Sequence, residues 1–173
     1  MHIHLSKKLE KLLKKFTDKK SSELDSSRLG KWNATVFYVD RKKCLFFLNA
    51  QTTYSFILVN VMAKDYPNLH KKIKEELYEQ LSYDGILLGP DFYSELIGGI
   101  RFLPTDADRR ALGFINYKLD IINHFLSIES ISVDLLCHRL NSDFFNTGPG
   151  PRYQNMTTPI EEMKRVVEEI QGD

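Results

Sequence analysis

At 173 residues with 42% hydrophobic side chains, the chain has enough apolar material for one domain with a sizeable core. Its 24 lysines and arginines stand against 23 aspartates and glutamates, a formal charge of +1, so bulk charge excludes strong attraction to nucleic acid or an anionic membrane and leaves such roles to local patches. Two distant cysteines in apolar surroundings, Cys44 and Cys137, cannot build a disulfide framework and fit core thiols in a reducing cytoplasm. No secretory signal and no run of about 18 apolar residues is present, so a cytoplasmic protein with no membrane association is expected.

In chain order, His2 to Leu5 alternates as a short strand. Ser6 then caps a helix in which Leu9, Leu12, Leu13 and Phe16 recur at three and four residues among lysines. The polar run TDKKSSELDSSRLG is a loop. KWNATVFYVDRKKCLFFLNA reads as a β-hairpin, with two aromatic and β-branched stretches flanking the charged DRKK, and Tyr54 to Met62 as a third strand. From Pro67, placed in the first turn, Leu69, Ile73, Leu77 and Leu81 line one side of a helix that Gly85 ends. LLGPDFYSELIGG predicts a short helix stopped by its glycine pair, and IRFLP a returning strand.

Thr105 is positioned as the N-cap of a long helix, with Asp108 completing a capping-box-like signature. Leu112, Ile115, Leu119, Ile122 and Leu126 form its apolar stripe, widened by Phe114, Ile121 and Phe125. Arg109, Asn116, Asp120 and Asn123 share the remaining arc, which a ligand or partner could read, but the favoured reading is that Arg109 and Arg110 pair with acids elsewhere while the amides face water, the shared polar site being the minority one. A Pro/Gly-rich loop at 147–159 precedes a terminal helix beginning at Pro159. The fold class is α+β: a single compact domain over 1–173, with a mixed or mainly antiparallel β-sheet packed against several helices.

The segments KKLEKLL, WNATVFYVDRKKCLFFLNAQT and DRRALGFINY, in this order before a Pro-led closing helix, resemble a bacterial domain-of-unknown-function family, family 6933. The matching residues are Lys7, Lys8, Leu9, Trp32, Ala34, Arg41, Lys42, Asn49, Arg109, Leu112, Gly113 and Asn116. The family pattern has Arg-Ser where this chain has Arg109-Arg110, and Met-Asn-Asp where it has Ile115-Asn116-Tyr117, so a role resting on that serine or aspartate does not carry over. The resemblance covers nearly the full chain and implies one compact domain without naming an activity.

The chemistry-bearing residues are scattered. No His-Glu-x-x-His helix, Walker A or dinucleotide glycine pattern occurs, so neither a metal nor a cofactor is expected. Adjacent Cys137 and His138 do not face each other on a helix, whereas Asp134 and His138 could pair across one turn. Seven lysines against two acids between Lys7 and Lys20, with Arg41 to Lys43 at the hairpin tip, make Lys11, Lys14, Arg41 and Lys43 candidates for following a phosphate backbone, and Trp32, Tyr38 and Phe46 candidates for stacking on bases. The favoured function is a protein-interaction or small regulatory domain, with a protein partner or homodimer meeting the aromatic-rich hairpin edge. Nucleic-acid binding is the alternative, and small-ligand binding or catalysis around Arg109 and Asn116 a further one; on balance the chain is not expected to be an enzyme.

Overall fold

The computed structural model describes residues 1–18, 28–128, 130–148 and 155–172. Most of the polar run before Lys31 and the centre of the Pro/Gly-rich segment lie outside them. The fold is α+β, with one five-stranded mixed sheet in the order β4-β3-β2-β1-β5. Strand β1 (His2–Leu5) lies parallel to both β2 (Lys31–Val39) and β5 (Arg101–Leu103). Strands β2, β3 (Lys42–Asn49) and β4 (Ser55–Leu58) form an antiparallel meander. The predicted hairpin is therefore real, and its turn places Asp40 and Arg41 at φ +47° and +66°, the two left-handed residues of a tight hairpin connection.

Two-fold alternation along the strands divides the core. Trp32, Ala34, Leu45, Phe47 and Phe56 face one layer, where Phe47 stacks on Phe56 with ring centroids 4.6 Å apart. That layer is closed by α1 (Lys7–Leu12), α2 (Leu69–Tyr83), α3 (Pro90–Ile97) and α6 (Pro159–Gly172). Cys44, Phe46, Leu48 and Ile57 face the other, covered by α4 (Arg109–Ile128) and α5 (Val133–Ser142). Both cysteines are free and buried. Among the described residues, no helix is long and apolar enough to cross a membrane.

Several boundaries differ from the sequence reading. Ser6 does cap α1, its Oγ accepting from Leu9 N at 3.3 Å, but the helix stops at Leu12 and leaves Phe16 half-exposed. Pro67 sits in a 3-10 turn (Ala63–Asn68) ahead of α2, where the Asp65 carboxylate accepts from Met62 N and pairs with Lys72 at 2.9 Å. Thr105 is not the cap of α4. Asp108 is: its Oδ1 accepts from Arg110 N at 2.9 Å and Ala111 N at 3.0 Å, while Thr105 Oγ1 accepts only from Ala107 N. Lys31 bridges Asp106 and Asp108 at 2.6 Å each, which fixes the chain just before the helix begins. Part of the Pro/Gly-rich segment is also regular, since β6 (Phe145–Asn146) pairs antiparallel with β7 (Met156–Thr157).

The edges of the main sheet are occupied. Both hairpin strands are interior in the strand order, but β1 pairs only with Lys31 to Ala34 of β2, so among the described residues Thr35 to Val39 has no strand partner on that side. Outside β5, Thr17 forms a bridge to Phe102, whose carbonyl accepts from Asp18 N at 2.8 Å. Outside β4, the side-chain amide of Asn141 acts as a surrogate strand: Oδ1 accepts from Ser55 N at 2.9 Å and Nδ2 donates to Ser55 O at 2.9 Å.

Candidate functional site

Most of the predicted apolar stripe of α4 packs on the sheet: Ile115 and Ile122 are buried, and Phe114, Leu119, Ile121, Phe125 and Leu126 lie partly buried against the same layer. Ala111, Ile115 and Ile122 are its buried line, Leu112 is 40% exposed, and the remaining buried position belongs to Lys118. A lysine buried at 97% of its surface must find partners. Lys118 Nζ donates to Thr53 O at 2.8 Å and Ser55 Oγ at 3.0 Å, with Asn141 Oδ1 at 3.5 Å. All three acceptors are neutral, and burial pushes the ammonium down to about 7 against the opposing fields of Cys137, Asp143 and Asp84.

Around this lysine runs a continuous polar network. Asp84, just past the end of α2, has a fully buried side chain; its Oδ2 accepts from Tyr54 OH at 2.6 Å and Asn141 Nδ2 at 3.1 Å. Its Oδ1 meets His138 Nδ1 at 2.7 Å. The expected pairing of His138 with Asp134 is thus replaced by a contact from another helix. Burial and the Asp84 carboxylate raise the Tyr54 phenol well above its ordinary range, and burial does the same to the Cys137 thiol, so both remain protonated near neutrality.

Thr53 belongs to the turn between β3 and β4. Asn49 organises that turn, its Oδ1 accepting from Gln51 N, Thr52 N and Thr52 Oγ1. Thr53 closes it at φ +57°, a left-handed conformation that a β-branched residue adopts at a cost of about 1–3 kcal/mol. Its carbonyl holds Lys118, yet its own buried Oγ1 has no hydrogen-bond partner among the described residues.

Thr53 and Lys118 lie along a cleft of about 530 Å³ between α4 and the β6 segment. Phe114, Tyr117, Phe144 and Phe145 supply aromatic walls, and Arg109 and Arg110 bring positive charge. No ion pair to either arginine occurs among the described residues, although Arg28, Arg101 and Arg165 are all paired with carboxylates. Arg110 instead lies over the Phe114 ring, 5.9 Å from its centroid. Asp143 is the acid in the lining. Gly113, also in the lining, would meet nothing within 4 Å if given a Cβ, so packing does not require a glycine in the middle of this helix.

Of the four polar residues predicted on α4, the structure brings Arg109 into the cleft and leaves Asn116, Asp120 and Asn123 exposed outside its lining. Asn123 borders a separate surface hollow with Tyr38 and Asp40. Lys11, Lys14 and Arg41 are exposed, whereas Lys43 donates to Tyr66 OH at 2.5 Å and lies over that ring. Phe16 packs edge-on to the same tyrosine, which places the exit of α1 and the side chain of Lys43 on one face of the sheet. Trp32 and Phe46 are fully buried and cannot stack on bases; Tyr38 is 57% exposed. Among the described residues no group of three or more His, Cys, Asp or Glu side chains is placed to hold a metal ion.

Thr53, Lys118, Asp84 and Asn141 were not singled out by sequence reasoning. The available signal was Lys118 itself, three residues after Ile115 and four before Ile122, the position of a core side chain.

The order of elements that carries this site, from β1 to the start of α6, coincides with the match to a family described as Domain of unknown function (DUF6933), which spans residues 2–162. The chain belongs to this family. Its members are thus expected to share the sheet, α4 and α5 that frame the cleft. Neither a curated protein nor a solved structure matches the chain.

Proposed function

We propose that the cleft beside α4 binds a small organic anion, a carboxylate or phosphate ester with an apolar body. The observation that carries this reading is Thr53, a strained residue whose buried hydroxyl is left unpartnered at the cleft beside Lys118. A ligand oxygen would satisfy that hydroxyl. Arg109 and Arg110, which form no ion pair among the described residues, would take the negative charge, and the aromatic walls the apolar part. The protein works in a reducing cytoplasm, consistent with two buried free thiols.

Thermal unfolding with phenyllactate, benzoate and inorganic phosphate tests the reading. An anion bearing a ring raises Tm by mass action, and the joint Arg109→Ala, Arg110→Ala variant weakens that response about tenfold or more. Equal responses of wild type and variant, or no response to any of the three, would overturn it.

A second reading, association with a protein partner, is favoured by the aromatic rim, where Phe144 is 69% and Tyr117 55% exposed. Native mass spectrometry of the protein recovered from its host, with and without nuclease, separates that reading from nucleic-acid binding through Lys11, Lys14, Arg41 and Lys43.

A further inference from the structure

Lys118 is more than a neutral floor for an anion. A buried lysine that served only to tie helix to sheet would gain most from a carboxylate, yet no ion pair to Lys118 occurs among the described residues. Its acceptors are a carbonyl, a hydroxyl and an amide oxygen, so releasing its proton breaks no salt bridge. Burial favours that release near neutrality, and the titratable groups whose fields reach it, Cys137 and Asp143 at the α5 side and Asp84 at the end of α2, oppose it only in part.

We propose that Lys118 forms a reversible imine with the 2-oxo group of a 2-oxo acid carrying an apolar side chain, held in the cleft by Arg109 and Arg110. This rests on the anion-binding reading above and names its ligand class. Arg110, Phe114 and Lys118 follow one another at four-residue steps, so about 12 Å of helix separates the cation at the mouth from the amine. Arg110 and Lys118 both line the cleft, with the Phe114 ring, over which Arg110 lies, between them along the helix. Phe114, Tyr117, Phe144 and Phe145 then take the side chain of the acid.

The lone pair of neutral Nζ attacks the C2 carbonyl carbon, forming the C–N bond as the C=O π electrons pass to oxygen. That oxygen takes one proton and the nitrogen loses one, giving a carbinolamine. A second protonation of the hydroxyl lets the C–O bond break with loss of water as the nitrogen lone pair forms the C=N bond of an iminium ion, which returns its remaining N–H proton to Asp143; amine and oxo acid have become imine and water. The unpartnered Thr53 Oγ1 donates to the oxygen in both stages, and Asp143, which lines the same cleft, carries the proton.

The test incubates the intact protein with phenylpyruvate and sodium cyanoborohydride, followed by whole-protein mass and peptide mapping. Phenyllactate, which has the same ring and carboxylate but no ketone, serves as the non-reacting control. One reduced adduct mapping to Lys118, formed at least tenfold faster than on any exposed lysine, blocked by phenyllactate and absent in Lys118→Met, is the expected result. Adducts confined to exposed lysines or the amino terminus, at rates unchanged in Lys118→Met, would overturn the imine. Should phenyllactate still stabilise wild type but not the double arginine variant in that case, the anion-binding reading survives alone; if phenyllactate does nothing, both fall. Because Lys118→Met could fold poorly, mapping on wild type decides by itself.

Discussion

Replacing Lys118 with methionine keeps most of the side-chain volume and removes the buried charge. The consequence is worked from linkage. Lys118 is depressed from 10.5 to about 7 by burial, so below pH 7 it is charged in both folded and unfolded states and the folded protein bears the full desolvation cost. Between pH 7 and 10.5 the unfolded chain holds a proton that the folded protein has released, and stability must rise with pH. At about 1.36 kcal/mol per pH unit, less the rounding near the midpoint, wild type gains roughly 2 kcal/mol from pH 7 to 9. Above 9 the window closes, because the raised Cys137 thiol stays protonated in the fold while its unfolded counterpart ionises, which lowers stability again. The assay is urea unfolding of wild type and Lys118→Met at half-unit steps from pH 6 to 9, at constant ionic strength. The stability of wild type relative to Lys118→Met should rise by about 2 kcal/mol across the upper two units. A flat difference would mean that Thr53 O, Ser55 Oγ and Asn141 Oδ1 solvate the ammonium as well as water does, and would refute the argument.

Asn141→Leu leaves the N–H and C=O of Ser55 unpaired at the edge of β4 and removes a donor from Asp84, so it should cost about 3–5 kcal/mol by chemical denaturation and make the Ser55 amide exchange faster. Gly113→Ala should raise stability by about 0.5–1 kcal/mol, since its Cβ meets nothing, while weakening phenyllactate binding because it narrows the cleft; a loss of stability would show that the glycine answers a packing need. Burial, together with Glu79 and Asp134, raises Glu76 to about 7, so the folded state holds a proton that the unfolded state loses from pH 4.5 upward. Stability therefore falls as pH rises from 4.5 to 7, and Glu76→Gln should flatten that limb of the unfolding profile.

The local parts of the fold were legible in the sequence. The hairpin declared itself through two β-branched and aromatic runs around DRKK, and Leu69, Ile73, Leu77 and Leu81 turned out to be the buried line of α2. Where the sequence misled, two local solutions competed: Thr105 and Asp108 both suit a cap, and only the bridge from Lys31, 77 residues earlier than Asp108, decides between them. The site was less legible because its partners lie far apart along the chain. Lys118 reaches Thr53 across 65 residues and Asn141 reaches Ser55 across 86. A lysine is also assigned to solvent by default, which hid the charged residue that α4 buries between Ile115 and Ile122. The left-handed turn at Thr53 has no signature in residue type, since threonine disfavours it.

The pairing of α5 with β4 sets a limit on how far the sheet can grow. Asn141 meets Ser55, while Cys137, one turn earlier, and Ile57 are buried in the same layer, so four residues of helix face two of strand. The helix advances about 6 Å in that step and the strand about 6.7 Å, while the helix also turns about 40° past a full revolution. A third match would be displaced by more than 1 Å and aimed well away from the strand. A helix can therefore stand in for a neighbouring strand over two outward positions and no further. β4 ends at Leu58, and Val59 is already 50% exposed. The shortness of the last strand is thus a property of the ruler beside it, and lengthening β4 would require a true strand, not a longer α5.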